Sequence, residues 1–420
     1  MYSVTILPTG LRILTAPSKG TVSATVIVFV GAGSRYEEEH ERGISHFLEH
    51  MFFKGGERYR NTKEVSAAID GVGGEFNAFT GKEYVGYYTK VAATHIELAC
   101  DVLSDMLLNA KFPKEEIEKE RGVITEEERM YQDTPMYRAG WDFEELLFGN
   151  HPLGWDTIGK QSVIRSVQQS AFFHHKDLLY TPDNVVLAFA GNITEATTRS
   201  LGERYFGALR GTKQRSFSPC TSYGQGRILL RTKETEQAHL VLGVPGVSAL
   251  DKEHFAFKLL AIILGGNMSS RMFLKIREAR GLCYYITTET DNYLDAGAIS
   301  TRAGVDQSRL EEAIQAITEE YLLCAKEGVT DEEVQRAKEY LKGKVALTLE
   351  DTEELAHFFG KQLLLYPRTR NVPEYFKEID VVTIDHVNNL AARLLRREAL
   401  RLVVIGKTKK QSELLKLITN

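Results

Sequence analysis

Short apolar, β-branched runs that end at glycine recur along the chain, and they recur in pairs. Ala24-Thr25-Val26-Ile27-Val28-Phe29-Val30-Gly31 is answered, at a shift of roughly 215 residues, by Ala238-His239-Leu240-Val241-Leu242-Gly243-Val244-Pro245-Gly246. Near the end of each half, Asn184-Val185-Val186-Leu187-Ala188-Phe189-Ala190-Gly191 is matched by Ala399-Leu400-Arg401-Leu402-Val403-Val404-Ile405-Gly406. Unbroken apolar runs of this length predict core strands. A helical pattern opens about a dozen residues after the first strand of each half.

Longer helical patterns lie between the paired strands. One runs from Pro113, a residue suited to a helix start, to about Tyr131, and its counterpart opens with the capping-box spacing Thr330-x-x-Glu333. The polar, Gly-Ser-Pro-containing stretch from Gly211 to Gly226 separates the halves. Irregular alternation of strands and helices predicts an α+β fold rather than a doubly wound parallel sheet. Its form is two homologous α/β sandwich domains related by duplication, each a mostly antiparallel sheet packed against helices. The expected division is an N-terminal domain over 1–212, a linker over 213–226 and a C-terminal domain over 227–420.

Composition narrows the function classes. With 420 residues the chain exceeds one hydrophobic core, and 43% apolar and 26% charged residues are those of an ordinary globular protein. A net charge of −5, with no basic stripe interleaved with aromatics, gives no expectation of a nucleic-acid partner. The longest apolar runs, around Val26 to Val30 and Leu259 to Leu264, are too short to span a bilayer, so no membrane partner is expected. Cys100, Cys220, Cys283 and Cys324 show no metal-ligand spacing and read as reduced thiols. The opening Met1-Tyr2-Ser3-Val4-Thr5 has no basic segment followed by an apolar one, which makes the cytoplasm the expected location.

Candidate chemistry sits on the helix after the first strand. His46 and His50 are four apart, hence on one helix face, with Glu49 between them. This His-x-x-Glu-His order, the inverse of the common zinc-protease pattern, suits a zinc grip beside a general base. Catalytic zinc takes three protein ligands and keeps one position for water, so a third ligand must come from elsewhere. The acidic helix from Glu115 to Glu128 offers candidates: Glu120 and Glu127, seven apart, are nearly eclipsed, while Glu126 and Glu128 each point about 100° away from Glu127. The repeat shift puts Ala261 at His46, Gly265 at His50 and Lys344 near Glu127, so the second half keeps its strands but cannot bind the metal.

Gly43-x-x-His46-Phe47-Leu48-Glu49-His50-Met51-x-Phe53-Lys54-Gly55, together with Glu120-Arg121-x-Val123-Ile124-x-x-Glu127, resembles the pitrilysin family of zinc metallopeptidases, or inverzincins. That family includes mitochondrial processing peptidase and insulin-degrading enzyme; the resemblance covers nearly the whole chain and is to short, two-domain members. It implies one Zn2+ per chain, with Glu127 as third ligand and Glu120 as the carboxylate that orients a ligand from behind. Glu126 is the rival for Glu127 if the register slips by one residue. Glu49 is expected to be no ligand but the base that takes a proton from water and returns it to the leaving amine.

The segment Gly73-Gly74-Glu75-Phe76-Asn77-Ala78-Phe79-Thr80-Gly81-Lys82-Glu83-Tyr84 leads into an alternating strand, Val85 to Val91, which resembles the edge strand with which the family pairs an extended substrate. Asn77 and Ala78 are the expected substrate contacts, Ala78 because a small residue permits close approach. In the second half, Arg277-x-x-x-Gly281-Leu282-x-Tyr284 is similar to the family's arginine and tyrosine seven apart. By that resemblance Arg277 holds the substrate backbone and Tyr284 donates to the developing oxyanion. Long members place the zinc in the first and this pair in the last of four domains. Two domains carrying both elements therefore imply a homodimer that closes as a clam, Arg277 and Tyr284 acting in trans.

The segment from His151 to Gly159, also similar to the family, is assigned no catalytic role, and Glu37-Glu38-Glu39 reads as a solvated loop. The expected function is a zinc-dependent endopeptidase that hydrolyses peptides or unfolded segments inside a closed chamber. Its rivals are a non-catalytic scaffold subunit of the same fold and one subunit of a heterodimeric processing peptidase.

Overall fold

The computed structural model describes residues 2–408 and 410–420. The strands of the first half are β1 (Ser3–Ile6), β2 (Arg12–Pro17), β3 (Ser23–Val30), β4 (Glu75–Thr80), β5 (Val85–Ala92) and β6 (Val185–Gly191). Its helices are α1 (Ile44–Phe52), α2 (Thr62–Asp70), α3 (Ile96–Leu108), α4 (Lys114–Asp133), α5 (Pro135–Phe148), α6 (Gln161–Ser166), α7 (Gln169–Leu179) and α8 (Glu195–Leu201). Residues 209–227 form neither helix nor strand. Beyond them come β7 (Ile228–Thr232), β8 (Gln237–Pro245), β9 (Cys283–Asn292), β10 (Gly297–Asp306) and β11 (Arg401–Gly406). The helices of this half are α9 (His254–Gly265), α10 (Leu310–Glu327), α11 (Asp331–Thr348), α12 (Thr352–Leu365), α13 (Val372–Asp380), α14 (Ile384–Leu394) and α15 (Gln411–Thr419).

Two sheets carry the duplication. The first has strand order β1-β2-β6-β3-β5-β4 and is parallel only between β2 and β6. The second has order β7-β11-β8-β10-β9 and is parallel only between β7 and β11. With β1 set aside, the orders and strand directions superimpose one for one: β2 on β7, β6 on β11, β3 on β8, β5 on β10 and β4 on β9. The paired apolar runs of the sequence are thus the central strands of each sheet, buried throughout from Ala24 to Val30 and from Arg401 to Gly406.

The compact units are not the contiguous halves. One unit comprises Met1–Glu128, Asp156–Ser218 and Val345–Val372, the other Arg129–Trp155, Pro219–Lys344 and Pro373–Asn420. The segments that trade places contain α5 and α12, which follow the long helices α4 and α11 at equivalent points of the repeat. In the second unit Ala139, Phe143 and Leu147, spaced four apart along α5, pack against Val241, Val403 and Ile405. In the first unit Ala356 and Phe359 of α12 pack against Ile27, Phe29, Val186 and Ala188, and Thr352 Oγ1 meets Thr25 Oγ1 at 2.8 Å. An apolar stripe tells that a helix is buried but not against which sheet, so a linear division at 212 and 227 does not register the exchange.

The substrate-pairing expectation needs a correction. Val85–Ala92 is interior, flanked by β3 and β4, and the edge strand is Glu75–Thr80. Gly73, in the left-handed region at φ 65°, turns the chain into a separate strand, and a tight connection at residues 81–84 returns it into β5. Asn77 and Ala78 therefore lie on the edge itself, opposite Tyr88 and Tyr87 of β5. Among the described residues no helix is long and apolar enough to cross a membrane.

The helix exchange is testable at Gly360, where an added Cβ would lie 2.3 Å from Phe29 Cε2 and 2.8 Å from Ala188 Cβ. Gly360→Val should cost about 1–3 kcal/mol by overpacking. Hydrogen exchange should then accelerate in β3 and β6 rather than in β8 and β11, although residue 360 is encoded in the second half. Loss of protection confined to β8 and β11 would refute the packing.

Candidate metal centre

α1 is short and two-faced. Ile44, Phe47, Leu48, Met51 and Phe52 recur at helical spacing and are buried, Phe47 meeting Phe172 edge-on with ring centroids 4.9 Å apart and Phe52 meeting Tyr87 at 5.2 Å. His46, Glu49 and His50 occupy the other face. On α4 the buried residues Ile117, Glu120 and Ile124 mark the inward stripe, and Glu127 continues it. α1 and the part of α4 up to Glu128 belong to the first unit, so the mutual geometry of the histidines and Glu127 is that of one packed core.

Three donors converge. Glu127 Oε2 stands 3.6 Å from His46 Nε2 and 3.5 Å from His50 Nε2, and one ligand atom from each residue lies within 4.8 Å of the others. Ligands about 2.0–2.2 Å from a shared tetrahedral zinc are roughly 3.3–3.6 Å apart, which these separations match. Two imidazoles and one carboxylate are also the donor set of a catalytic zinc site. Glu126 is not part of the convergent group found among the described residues, and Glu128 is hydrogen-bonded to Gln161. The side chain on the matching helix face is Glu127.

The residues behind the trio fix its orientation. His50 Nδ1 pairs with Glu120 Oε2 at 3.0 Å, so that Nε2 is the nitrogen turned to Glu127, and Glu120 Oε1 in turn meets Lys54 Nζ at 2.5 Å. Burial pulls the His50 pKa down, but its hydrogen bonds to Glu120 and Glu127 and the charges of Glu127 and Glu49 outweigh it and hold it up at about 9. His46 goes the other way, to about 4, through burial and the neighbouring His50. Glu127 is depressed by its hydrogen bond to His50 and by the charge of His46. Glu120 also falls, because His50 and Lys54 outweigh its burial. Glu49 lies outside the convergent trio: it accepts from Thr80 Oγ1 at 2.5 Å, and burial raises its pKa against that bond. A carboxylate so raised is a better proton acceptor than a free one.

The start of α1 is held as firmly as its face. Glu37 is only 4% exposed, and its two oxygens accept the Gly43 and Ser45 N–H groups at 2.8 Å each. Burial pushes its pKa up to about 7 against those two bonds. Gly43 is left-handed at φ 99°, and a Cβ there would lie 2.4 Å from Ile158 O, so the Ile158-Gly159 segment seats the helix start. Ser45 Oγ also meets the buried His175 Nε2 at 3.2 Å.

Glu37 thus corrects the solvated-loop reading of Glu37-Glu38-Glu39: Glu38 and Glu39 are exposed and Glu37 is not. Its sequence offers little signal, since it stands six residues before Gly43, the glycine that opens the helix. Lys54 and Thr80 were also not singled out. Lys54, four residues after His50, follows the face of the histidines, and Thr80 ends the same strand that bears Asn77 and Ala78.

The remaining candidates fall into two places. Asn77 is exposed on the open edge of the first sheet, where its Oδ1 accepts the Ala78 N–H at 2.9 Å. Arg277 and Tyr284 belong to the second unit. The Arg277 guanidinium lies 4.6 Å from the Phe273 ring centroid, and Tyr284, at the start of edge strand β9, is 75% exposed. The second unit has no comparable space at the position that corresponds to His50. Gly265 lies so near β9 that a Cβ would be 2.1 Å from Thr288 Oγ1, and Thr288 joins a buried hydroxyl chain through Thr301 to Tyr321.

Comparison with known proteins gives a consistent picture. The profile described as Insulinase (Peptidase family M16) matches residues 12–157, and that described as Peptidase M16 inactive domain matches residues 168–341. An uncharacterized zinc protease of Bacillus subtilis (strain 168) is 34% identical over 389 residues, which is 93% of this chain and 94% of that protein. Another, of Mycobacterium leprae (strain TN), is 36% identical over 397 residues, 94% of this chain and 89% of that one. In three dimensions the crystal structure of a protease from Helicobacter pylori matches with a TM-score of 0.87 over 97% of this chain and 99% of that chain, at 19% identity.

The Glu37 cap makes a pH prediction with a definite sign. Its folded pKa of about 7 lies above the ordinary value of 4.5, so the folded state holds the proton longer and stability is lost as pH rises between the two. Relative to Glu37→Gln, the metal-free wild type should lose roughly 2–4 kcal/mol of unfolding free energy over that window and nothing further above it. Denaturant titrations at several pH values measure this; a wild type that gains stability relative to Glu37→Gln as pH rises through the window would contradict it.

Proposed function

The chain belongs to the insulinase family of peptidases, M16, whose relatives of this length are named zinc proteases, and from that premise we propose that it is a zinc-dependent endopeptidase. His46, His50 and Glu127 would hold one zinc per chain, and Glu49 would be its general base. The observation that carries this reading is the convergence of the three donors at 3.5–3.6 Å beside a buried carboxylate that is not one of them. A scaffold subunit would have no use for that arrangement.

Zinc, when bound, supplies Lewis acidity and an acidified water. Glu49 would accept a proton from the attacking water and return it to the departing amine, and its raised pKa fits both directions of transfer. Thr80 holds one Glu49 oxygen, leaving the other for the proton. The hydrogen bond from Glu120 keeps His50 turned toward Glu127, and Lys54 offsets the Glu120 charge. An extended peptide adds to the open edge of β4, where main-chain pairing reads backbone rather than side chains. To pair with Ala78, the peptide displaces the Asn77 side chain from the Ala78 N–H.

Arg277 and Tyr284 act in trans in this reading. Two copies form a homodimer that closes as a clam over a peptide or an unfolded segment, in the cytoplasm. Arg277, stacked on Phe273, would offer its donors to a substrate carbonyl, and the exposed Tyr284 would reach a developing oxyanion.

Two experiments test this. Glu49→Gln should retain zinc at the wild-type ratio by metal analysis while peptide hydrolysis falls by roughly 10²–10⁴-fold, whereas His50→Ala should lose the metal as well. A Glu49→Gln chain that cleaves at the wild-type rate would sink the assignment. Mixing Glu49→Gln with Tyr284→Phe chains should restore activity in heterodimers, because one of the two sites then has both Glu49 and Tyr284 intact. Verified heterodimers without any rescue would refute completion in trans.

A further inference from the structure

Residues 213–217 have no ladder to join, yet they alternate in burial. Lys213, Arg215 and Phe217 are half-buried, while Gln214 and Ser216 are exposed. This is the period of an extended chain laid with one side against a surface. The surface is the loop of residues 34–42 that precedes α1. Lys213 Nζ lies 4.6 Å from the Tyr36 ring centroid and 3.4 Å from its hydroxyl. Arg215 forms a two-pronged ion pair with Glu41, one prong at 3.4 Å, and also reaches Tyr36 O at 3.5 Å. Phe217 covers the Arg35 guanidinium at 3.8 Å and meets Tyr36 edge-on at 5.4 Å. Arg35 is fully buried and paired with Glu83 at 2.5 Å, so Phe217 seals that pair from solvent.

The same loop carries Glu37, whose carboxylate holds the first turn of α1 three residues before His46. A direct chain of contacts therefore runs from the segment to the helix that bears both histidines: Phe217 and Lys213 on Arg35 and Tyr36, Arg215 on Glu41, Glu37 between them, then Gly43 and Ser45. The segment itself is anchored at its other end by Lys213 N on Asp183, 3.0 Å to each carboxylate oxygen, and by Gln214 N on Leu178 O at 3.0 Å.

We propose that residues 213–217 are a positioning strap for the metal site, in which Arg215 and Phe217 set the direction of α1 by fixing the loop whose Glu37 caps it. None of the strap side chains reaches a metal donor, so they act through the helix, and the inference rests on the reading of His46, His50 and Glu127 as ligands. Loosening the strap lets α1 turn at its N-terminus, and His46, in the first turn, shifts more than His50. Glu127, on another helix, stays where it is. The coordination geometry changes while the edge strand that receives the peptide does not.

Cobalt in place of zinc reports that geometry through its visible ligand-field bands. The full chain should be compared as wild type, Arg215→Ala and Phe217→Ser, with Gln214→Ala and Ser216→Ala as exposed-face controls and Phe217→Tyr as the conservative variant. Arg215→Ala and Phe217→Ser should shift or weaken the cobalt bands and lower metal affinity and kcat by about 10–100-fold with KM little changed. The controls and Phe217→Tyr should match wild type. Should Arg215→Ala fail to fold, Arg215→Gln, which keeps the bulk but not the charge pair, supplies the same reading. Absence of cobalt bands in the wild type would overturn the metal reading and the strap with it. Wild-type bands that persist unchanged in Arg215→Ala and Phe217→Ser would overturn the strap alone.

Discussion

Three donor atoms from two helices meet within 3.6 Å contacts around Glu127 Oε2, and that meeting is the constraint the first unit is built to satisfy. Displacing one helix by an ångström would spoil it, because metal–ligand distances tolerate only about 0.2 Å. The surroundings are accordingly rigid. The apolar stripe of α1 is buried on aromatic rings, its N-terminus is capped by a buried carboxylate, and its second histidine is braced by Glu120 and Lys54. Electrostatics point the same way. Glu49, Glu120 and Glu127 are gathered near one another with Lys54 paired to Glu120, a concentration of carboxylates that a divalent metal would offset.

The two units share a scaffold and differ at the position of the convergent donors. With β1 set aside, both sheets have the same strand order and the same single parallel pair, so the scaffold places a helix beside the edge hairpin in each. In the first unit polar side chains occupy the space between helix and strand, with Thr80 joined to Glu49. In the second, Gly265 brings α9 down onto Thr288, whose hydroxyl pairs with Thr301. The exchange of α5 and α12 means that each sheet, though its strands come from one half of the sequence, is covered in part by a helix from the other half. Stability of the first unit thus depends on residues near position 360 as well as on those near the histidines.

Much of this was legible in the sequence, for identifiable reasons. The central strands showed as glycine-terminated apolar runs because they are buried on both faces, and the shift between copies exposed the repeat. The His46, Glu49 and His50 spacing is a local property of one helix, and the face shared by Glu120 and Glu127 is set by helical periodicity. What escaped was non-local. Strand order decided that Glu75–Thr80, not Val85–Ala92, is the edge. Tertiary contact decided that α5 and α12 exchange sheets, and that Glu37 is buried while its neighbours Glu38 and Glu39 are not. Lys54 belonged to a quoted motif, but its partner lies 66 positions away, on α4.

The central claim is that His46, His50 and Glu127 hold one catalytic zinc. Anomalous diffraction at the zinc edge, from crystals of the full chain grown with zinc, tests it most directly. The account predicts a single strong peak at ligand distance from His46 Nε2, His50 Nε2 and a Glu127 carboxylate oxygen, with Glu49 outside the coordination shell. A peak held by other residues, a peak with Glu49 as ligand, or no peak at all would contradict it.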